Sequence, residues 1–171
     1  MEFSELYKKR RSVRRFTDAP VTSEQINTML EYAVMAPNAC NMQSWHFFAV
    51  TDEATKKRLA ENGCFAPWAA SAPLIFIVCT DGEKIIERFG DKARDLFIIQ
   101  DTSAAIQNIL LTATDMGLGG CWMGSFNEQK LRDMLNIDLK YKVVAVVPIG
   151  EPDGDIAMRE RKPLDEVVTH I

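Results

Sequence analysis

Apolar positions along the chain switch repeatedly between helical spacing and short continuous runs, and this switching predicts an alternation of helices and strands. Phe3, Leu6 and Tyr7 fall at helical spacing and predict a first helix over residues 3–10. A second helix is predicted from a cap at Thr22 or Ser23, with Glu24 and Gln25 in its first turn, to Ala36, where Pro37 stops it. Its expected buried stripe is Ile26, Met29, Leu30 and Ala33. Residues 46–51 read as a strand and residues 53–62 as a small helix. The run from Leu74 to Cys79 has no polar alternation, as expected of a strand covered on both faces. Leu96, Ile99, Ser103, Ile106, Leu110 and Ala113 predict a long central helix over about residues 92–116, ended by Gly117. Cys121-Trp122-Met123 reads as a short strand, residues 127–135 as a helix capped by Asn127, and residues 143–149 as a last strand before Gly150-Glu151-Pro152. No internal repeat, low-complexity stretch or linker interrupts this order. The pattern is one α+β domain over residues 1–171, with a sheet of about four strands between helices.

Composition excludes several classes. Hydrophobic residues make up 47% and charged residues 26% of 171, ordinary values for a globular chain and unlike those of a disordered or fibrous one. The longest nearly uncharged stretch, residues 66–80, is too short to cross a bilayer and is broken by Pro67 and Pro73, so no membrane span is expected. The first residues lack the order of a secretory signal. Cys40, Cys64, Cys79 and Cys121 form no CxxC pair and have only His46 and His170 as nitrogen co-ligands, which argues against a metal site. These features together predict reduced thiols and a cytoplasmic protein. The net charge of −4 argues against broad binding of polyanions, so any anion site must be local.

Four segments carry candidate chemistry. Six of the eight residues from Lys8 to Arg15 are basic, a sharp departure in an acidic chain. Arginine presents a planar fork that suits phosphate oxygens, and Ser12 adds a hydroxyl. A solvated helix end or a nucleic-acid arm would also use such a run. Residues 36–47 cluster amide side chains between a helix stop and a strand. Amides that both donate and accept can read the edge of a flat heterocycle, and equally can build a polar turn. The glycines of residues 117–124 follow a helix and precede a strand, the reverse of the order a dinucleotide loop needs; Gly124 could let backbone N–H groups approach a planar ligand. Arg159 and Arg161 return basic side chains near the end of the chain, where with Arg10, Ser12 and Arg14 they could complete a phosphate clamp.

In this order and spacing the four segments resemble the nitroreductase family of FMN-dependent enzymes, from about Leu6 to Val168. Arg10-Arg11-Ser12-Val13-Arg14 matches the family's opening Arg-Arg/His-Ser-x-Arg element, and residues 36–45 match its Ala-Pro-Ser-x-x-Asn-x-Gln-Pro-Trp-like element. The resemblance implies a nitroreductase-like α+β fold, with a mixed or antiparallel central sheet flanked by helices, in an intertwined homodimer with FMN at the interface. Arg10, Ser12 and Arg14 would contact the FMN phosphate, ribityl chain or ring edge, and Arg11 would contribute by its backbone. Asn41 and Gln43 would lie beside the isoalloxazine of the partner subunit's flavin. Trp122, Met123 and Gly124 would pass the flavin face near N5, and Arg159 and Arg161 would hold the phosphate. Phe65, Trp68 and Phe126 are candidate walls of the acceptor pocket, each with an equally good reading as core packing.

The mechanism implied is ping-pong. NAD(P)H reduces FMN, and a nitroaromatic, quinone or similar electron-poor acceptor then reoxidises it through N5, with no catalytic side chain required. A flavin-binding reductase with another donor and an unknown substrate is the alternative, and a nucleic-acid-binding protein using residues 8–15 a further one. Three departures from the family pattern stand out. Ser44 replaces a proline and is expected to loosen the turn before Trp45. Asn38 stands where serine is common, and residues 63–73 contain no lysine to reach the flavin N1–O2 edge.

Overall fold

The computed structural model describes residues 2–64 and 66–171. Four strands, β1 (Trp45–Val50), β2 (Leu74–Asp81), β3 (Gly119–Gly120) and β4 (Tyr141–Gly150), form one antiparallel sheet in the order β1-β2-β4-β3. Among the described residues six α-helices surround it: α1 (Phe3–Lys9), α2 (Ser23–Ala33), α3 (Glu53–Arg58), α4 (Glu83–Phe89), α5 (Ile98–Asp115) and α6 (Glu128–Leu135).

β2 is buried from Leu74 to Thr80 because it separates two cores. Ile75, Ile77 and Cys79 face one, with Leu59, Cys121, Met123 and Leu131. Leu74, Phe76 and Val78 face the other, with Met29 and Ala33 of α2 and Ile106, Ile109 and Leu110 of α5. The strand therefore reads as an unbroken apolar run even though its neighbours are antiparallel. A register shift at Val78/Cys79 re-aims the paired strand, so that Val143 faces the first core and Ala145 the second.

The helix starts follow side-chain chemistry. Thr22 and Gln25 form a reciprocal capping box on α2, Asp52 caps α3 through Thr55 N–H, and Asn127 caps α6 through Lys130 N–H. Gly117, with φ of +78°, ends the α5 segment as anticipated. Met29 and Ala33 are buried on α2, with Ile26 and Leu30 packed beside them, which is the expected stripe.

Other expectations need correction. α2 stops at Ala33, three residues short, because Val34 already serves as its C-cap. The central helix is not continuous from residue 92: a π-helical turn over Ala93–Phe97 precedes α5 and shifts the helical phase. Leu96 is consequently 42% exposed, while Ile106, Leu110 and Ala113 are buried as the stripe requires. α4 is an addition to the predicted elements, being short and lacking a side-chain cap. The strand expected at Cys121-Trp122-Met123 lies instead at Gly119–Gly120, and Met123 makes only an isolated bridge to Val146.

Candidate functional site

After α1 the basic run crosses the end of the sheet. Val13 N–H donates to Gly120 O at 3.0 Å, and Ser12 makes a parallel bridge to Gly120. The contact demands glycine: a Cβ on Gly119 would lie 2.3 Å from Val13 Cγ2, and one on Gly120 would lie 2.4 Å from Ile149 Cδ1. The glycine-rich segment thus seats the basic run against β3. Gly124 differs, since a Cβ there would meet nothing within 4 Å.

Beyond that seat the two ends of the chain meet. Arg10, Arg11, Ser12, Arg14, Arg159 and Arg161, with Ile156, Ala157 and Met158, line a cleft of about 310 Å³. No carboxylate lines it, and among the described residues none pairs with Arg10, Arg14, Arg159 or Arg161. Uncompensated guanidinium groups gathered in one cleft are an anion site in waiting. Arg11 is different: its Nε donates to Ile156 O at 3.1 Å, and its Nη1 donates to the carbonyls of Lys8 and Arg10. That guanidinium is engaged by backbone and ties the C-terminal segment to the N-terminal one. Arg15 repeats the tie through Asp153 O at 3.1 Å.

Cys121 is buried within reach of the Arg14 and Arg10 charges. Burial pushes its thiol up, against a hydrogen bond and positive charge from Arg14 and the charge of Arg10. Trp122 is 39% exposed and Met123 is buried in the first core. Trp68 and Phe126 are half-buried and pack on that same core. Phe65 lies outside the described residues.

Asn41 and Gln43 are exposed and do not join the basic cleft of their own protomer. Gln43 lines a separate cleft with Trp45, His46, Asp81, Lys84 and Tyr141. In this cleft His46 stacks on Tyr141 at 4.3 Å between ring centroids, and burial, then the nearby Lys140 charge, lower its pKa. Ser44 does not leave the turn loose: its carbonyl accepts from Thr80 Oγ1 and from Asp81 N–H, both at 2.7 Å. A carbonyl is the group that proline would also present, so the anchor survives the replacement.

Two residues escaped the sequence reading. Lys56, buried on α3, donates from Nζ to Ala72 O at 2.8 Å and so pins the lysine-free segment 63–73 from outside it. Asp101, buried on α5, accepts Ala39 N–H at 3.0 Å. No spacing signal marked Asp101, which lies off the stripe read from Leu96 to Ala113 and is buried only in the docked helix.

A four-stranded antiparallel sheet between helices, with a cleft lined by arginines from the N- and C-terminal segments, defines an α+β protein with a locally basic cleft. The nitroreductase family profile matches residues 7–63 and 60–151, and the chain belongs to the nitroreductase family. An Archaeoglobus fulgidus protein provisionally named NADH dehydrogenase/NAD(P)H nitroreductase is 34% identical over 150 residues, covering 85% of this chain and 83% of its own. The crystal structure of a Streptococcus pneumoniae nitroreductase family protein superposes with a TM-score of 0.86 over 99% of this chain and 100% of its own; at 22% identity this is a likeness of fold. An FMN-dependent nitroreductase from Clostridium difficile superposes with a TM-score of 0.80 at 27% identity, over 97% of this chain and 96% of its own. Among the described residues no helix is long and apolar enough to cross a membrane.

Proposed function

We propose that this protein is an FMN-dependent NAD(P)H oxidoreductase acting on nitroaromatic, quinone or similar electron-poor acceptors. The observation that carries this reading is the cleft in which Arg10, Ser12 and Arg14 meet Arg159 and Arg161 with no carboxylate among its lining. The donor set fits the group: guanidinium forks and a hydroxyl suit a phosphate monoester. The relatives whose names specify FMN or NAD(P)H support the same assignment. Bound there, FMN would supply a two-electron carrier between NAD(P)H and the acceptor.

The chain's own residues then have distinct tasks. Arg10, Arg14, Arg159 and Arg161 neutralise the phosphate, and Ser12 donates to it. Arg11 keeps the two arms of the clamp together through Ile156. Trp122, Met123 and Gly124 run along the ring face, with open space at Gly124 for close approach of the backbone. Phe65, Trp68 and Phe126 wall the acceptor site.

The working unit is an intertwined homodimer in which Asn41 and Gln43 serve the flavin held by the other subunit. Supporting this, both amides lie outside the basic cleft of their own protomer. Every residue from 157 to 171 is exposed, Leu164 and Val167 at 76% and 59%, as expected of an arm that reaches a second copy. Location in the cytoplasm accords with the buried thiols of Cys64, Cys79 and Cys121 remaining unpaired.

The test is an FMN titration followed by reduction. Purified protein should take up FMN with quenching of its fluorescence, and NADH or NADPH should bleach the bound flavin until an acceptor restores its colour. Protein that takes up no FMN would refute the reading, and flavin that neither nucleotide bleaches would limit it to a reductase with another donor.

A further inference from the structure

The loop between α2 and β1 places three non-glycine residues in the left-handed region: Cys40 at φ 52°, Asn41 at 55° and Gln43 at 52°. Such a backbone persists only where its surroundings hold it. Two anchors act on the later part of the loop. Asn38 Oδ1 accepts Gln43 N–H at 2.9 Å, and the Ser44 carbonyl is clasped by Thr80 and Asp81. The start of the loop is held from another element: Ala39 N–H donates to Asp101 Oδ1 across 62 positions of sequence.

Asp101 is only 5% exposed, and its second oxygen, Oδ2, has no hydrogen-bond partner among the described residues. Its neighbours on α5 include Ile98, Ala105 and Ile106, all buried and apolar. The adjacent Thr102 satisfies its hydroxyl locally, on the Ile98 and Ile99 carbonyls. Packing alone would favour an apolar side chain at 101, because a buried carboxyl with one donor is costly. What the carboxyl adds is a fixed point for Ala39, the residue from which the left-handed turn departs.

We propose that Asp101 is a positioning residue for flavin recognition: by holding Ala39 N–H it fixes the turn through Cys40 and Asn41, and so sets the Asn41 and Gln43 amides against the flavin ring. This rests on the reading of Asn41 and Gln43 as ring-edge contacts. Asp101 acts on the ring end of the cofactor and not on its phosphate, and this separates its effect from that of the basic clamp.

The experiment compares FMN with riboflavin, which lacks the phosphate, in fluorescence titrations of the full chain, and records the visible absorption of the bound flavin. Asp101→Leu is expected to weaken both ligands by the same factor, about tenfold, and to displace the absorption bands. Asp101→Asn, whose carboxamide oxygen still accepts from Ala39, should hold both within roughly threefold of wild type. In a background carrying Asn41→Ala and Gln43→Ala, Asp101→Leu should cost less than about threefold, because the groups it positions are gone. Should Asp101→Leu fail to fold, Asp101→Ser, which withdraws the acceptor from Ala39, is compared in the same way.

Wild-type riboflavin affinity in Asp101→Leu, a loss confined to FMN, or an equal penalty with and without the two amides would each overturn the inference. If instead the Asn41→Ala, Gln43→Ala variant itself binds riboflavin like wild type, the ring-edge reading fails and takes the inference with it. A weakened amide variant beside an unaffected Asp101→Leu would overturn only the positioning role.

Discussion

Arg11 Nε donates to the Ile156 carbonyl at 3.1 Å, joining residues 145 positions apart in sequence and engaging its guanidinium with backbone. Replacing Arg11 with Ala should therefore loosen the C-terminal arm and weaken FMN binding by roughly tenfold, the scale of one charge-assisted hydrogen bond. Protease cleavage within residues 157–171 should accelerate in the same variant. Unchanged FMN affinity and cleavage rate would show that the arm is held by other contacts.

The clamp itself should behave as one unit. Arg10→Ala combined with Arg161→Ala is expected to lower FMN affinity by about 3 kcal/mol, or roughly a hundredfold, while riboflavin affinity changes little. The two titrations together distinguish loss of phosphate contacts from general disruption of the site.

Gly120 offers a test of the seat beneath the clamp. A Cβ there would lie 2.4 Å from Ile149 Cδ1 and 2.9 Å from the Pro148 carbonyl oxygen, and the latter is backbone that cannot turn away. Gly120→Ala should cost about 1–3 kcal/mol of stability, read as a lower urea midpoint. Gly124→Ala, with nothing within 4 Å, should leave the midpoint unchanged.

His46 predicts a pH dependence of stability. Burial first, and then the Lys140 charge, lower its pKa below the ordinary 6.5, against a smaller opposing effect from Asp81. The folded state therefore binds a proton less readily than the unfolded chain. The resulting stabilisation is complete above about 6.5 and is lost as pH falls through that value toward the lowered one. The melting temperature should drop between pH 7.5 and 5.5 less steeply in His46→Phe than in wild type.

The four thiols should divide by burial. Cys64 and Cys79 are buried, with thiol pKa values pushed up to about 11 and about 12, and Cys121 is buried and raised as well, whereas Cys40 is exposed. A thiolate reagent at pH 8 should modify Cys40 first and the other three only on unfolding. Slower modification of Cys40 after FMN addition is expected if the amide loop lies against the flavin.

The parts of the site that were legible in the sequence are those defined by side-chain type and order. The grouping of Arg10, Ser12 and Arg14 with Arg159 and Arg161 could be read directly from residue type and order, and the structure brings them to one cleft. The different task of Arg11 was not legible, since it depends on where Ile156 comes to rest. Strand β2 was readable as a doubly covered run, yet the true position of β3 was not. Cys121-Trp122-Met123 has the better strand composition, but only glycine at 119 and 120 tolerates the approach of Val13 and Ile149. The π-helical turn at Ala93–Phe97 hid the phase of α5 in the same way, by inserting a change of pitch that no residue type announces. Asp101 was not legible, because it falls outside the stripe read from Leu96 to Ala113 and its partner at Ala39 appears only once α5 has docked.

The cleft that gathers Arg10 with Arg161 is walled by segments from opposite sides of the sheet-forming sequence. The sheet ends at Gly150, whereas Arg159 and Arg161 lie on the exposed segment that follows it. On the proposed reading, a chain cut just after residue 156 is expected to lack the C-terminal wall of the cleft and to release FMN readily.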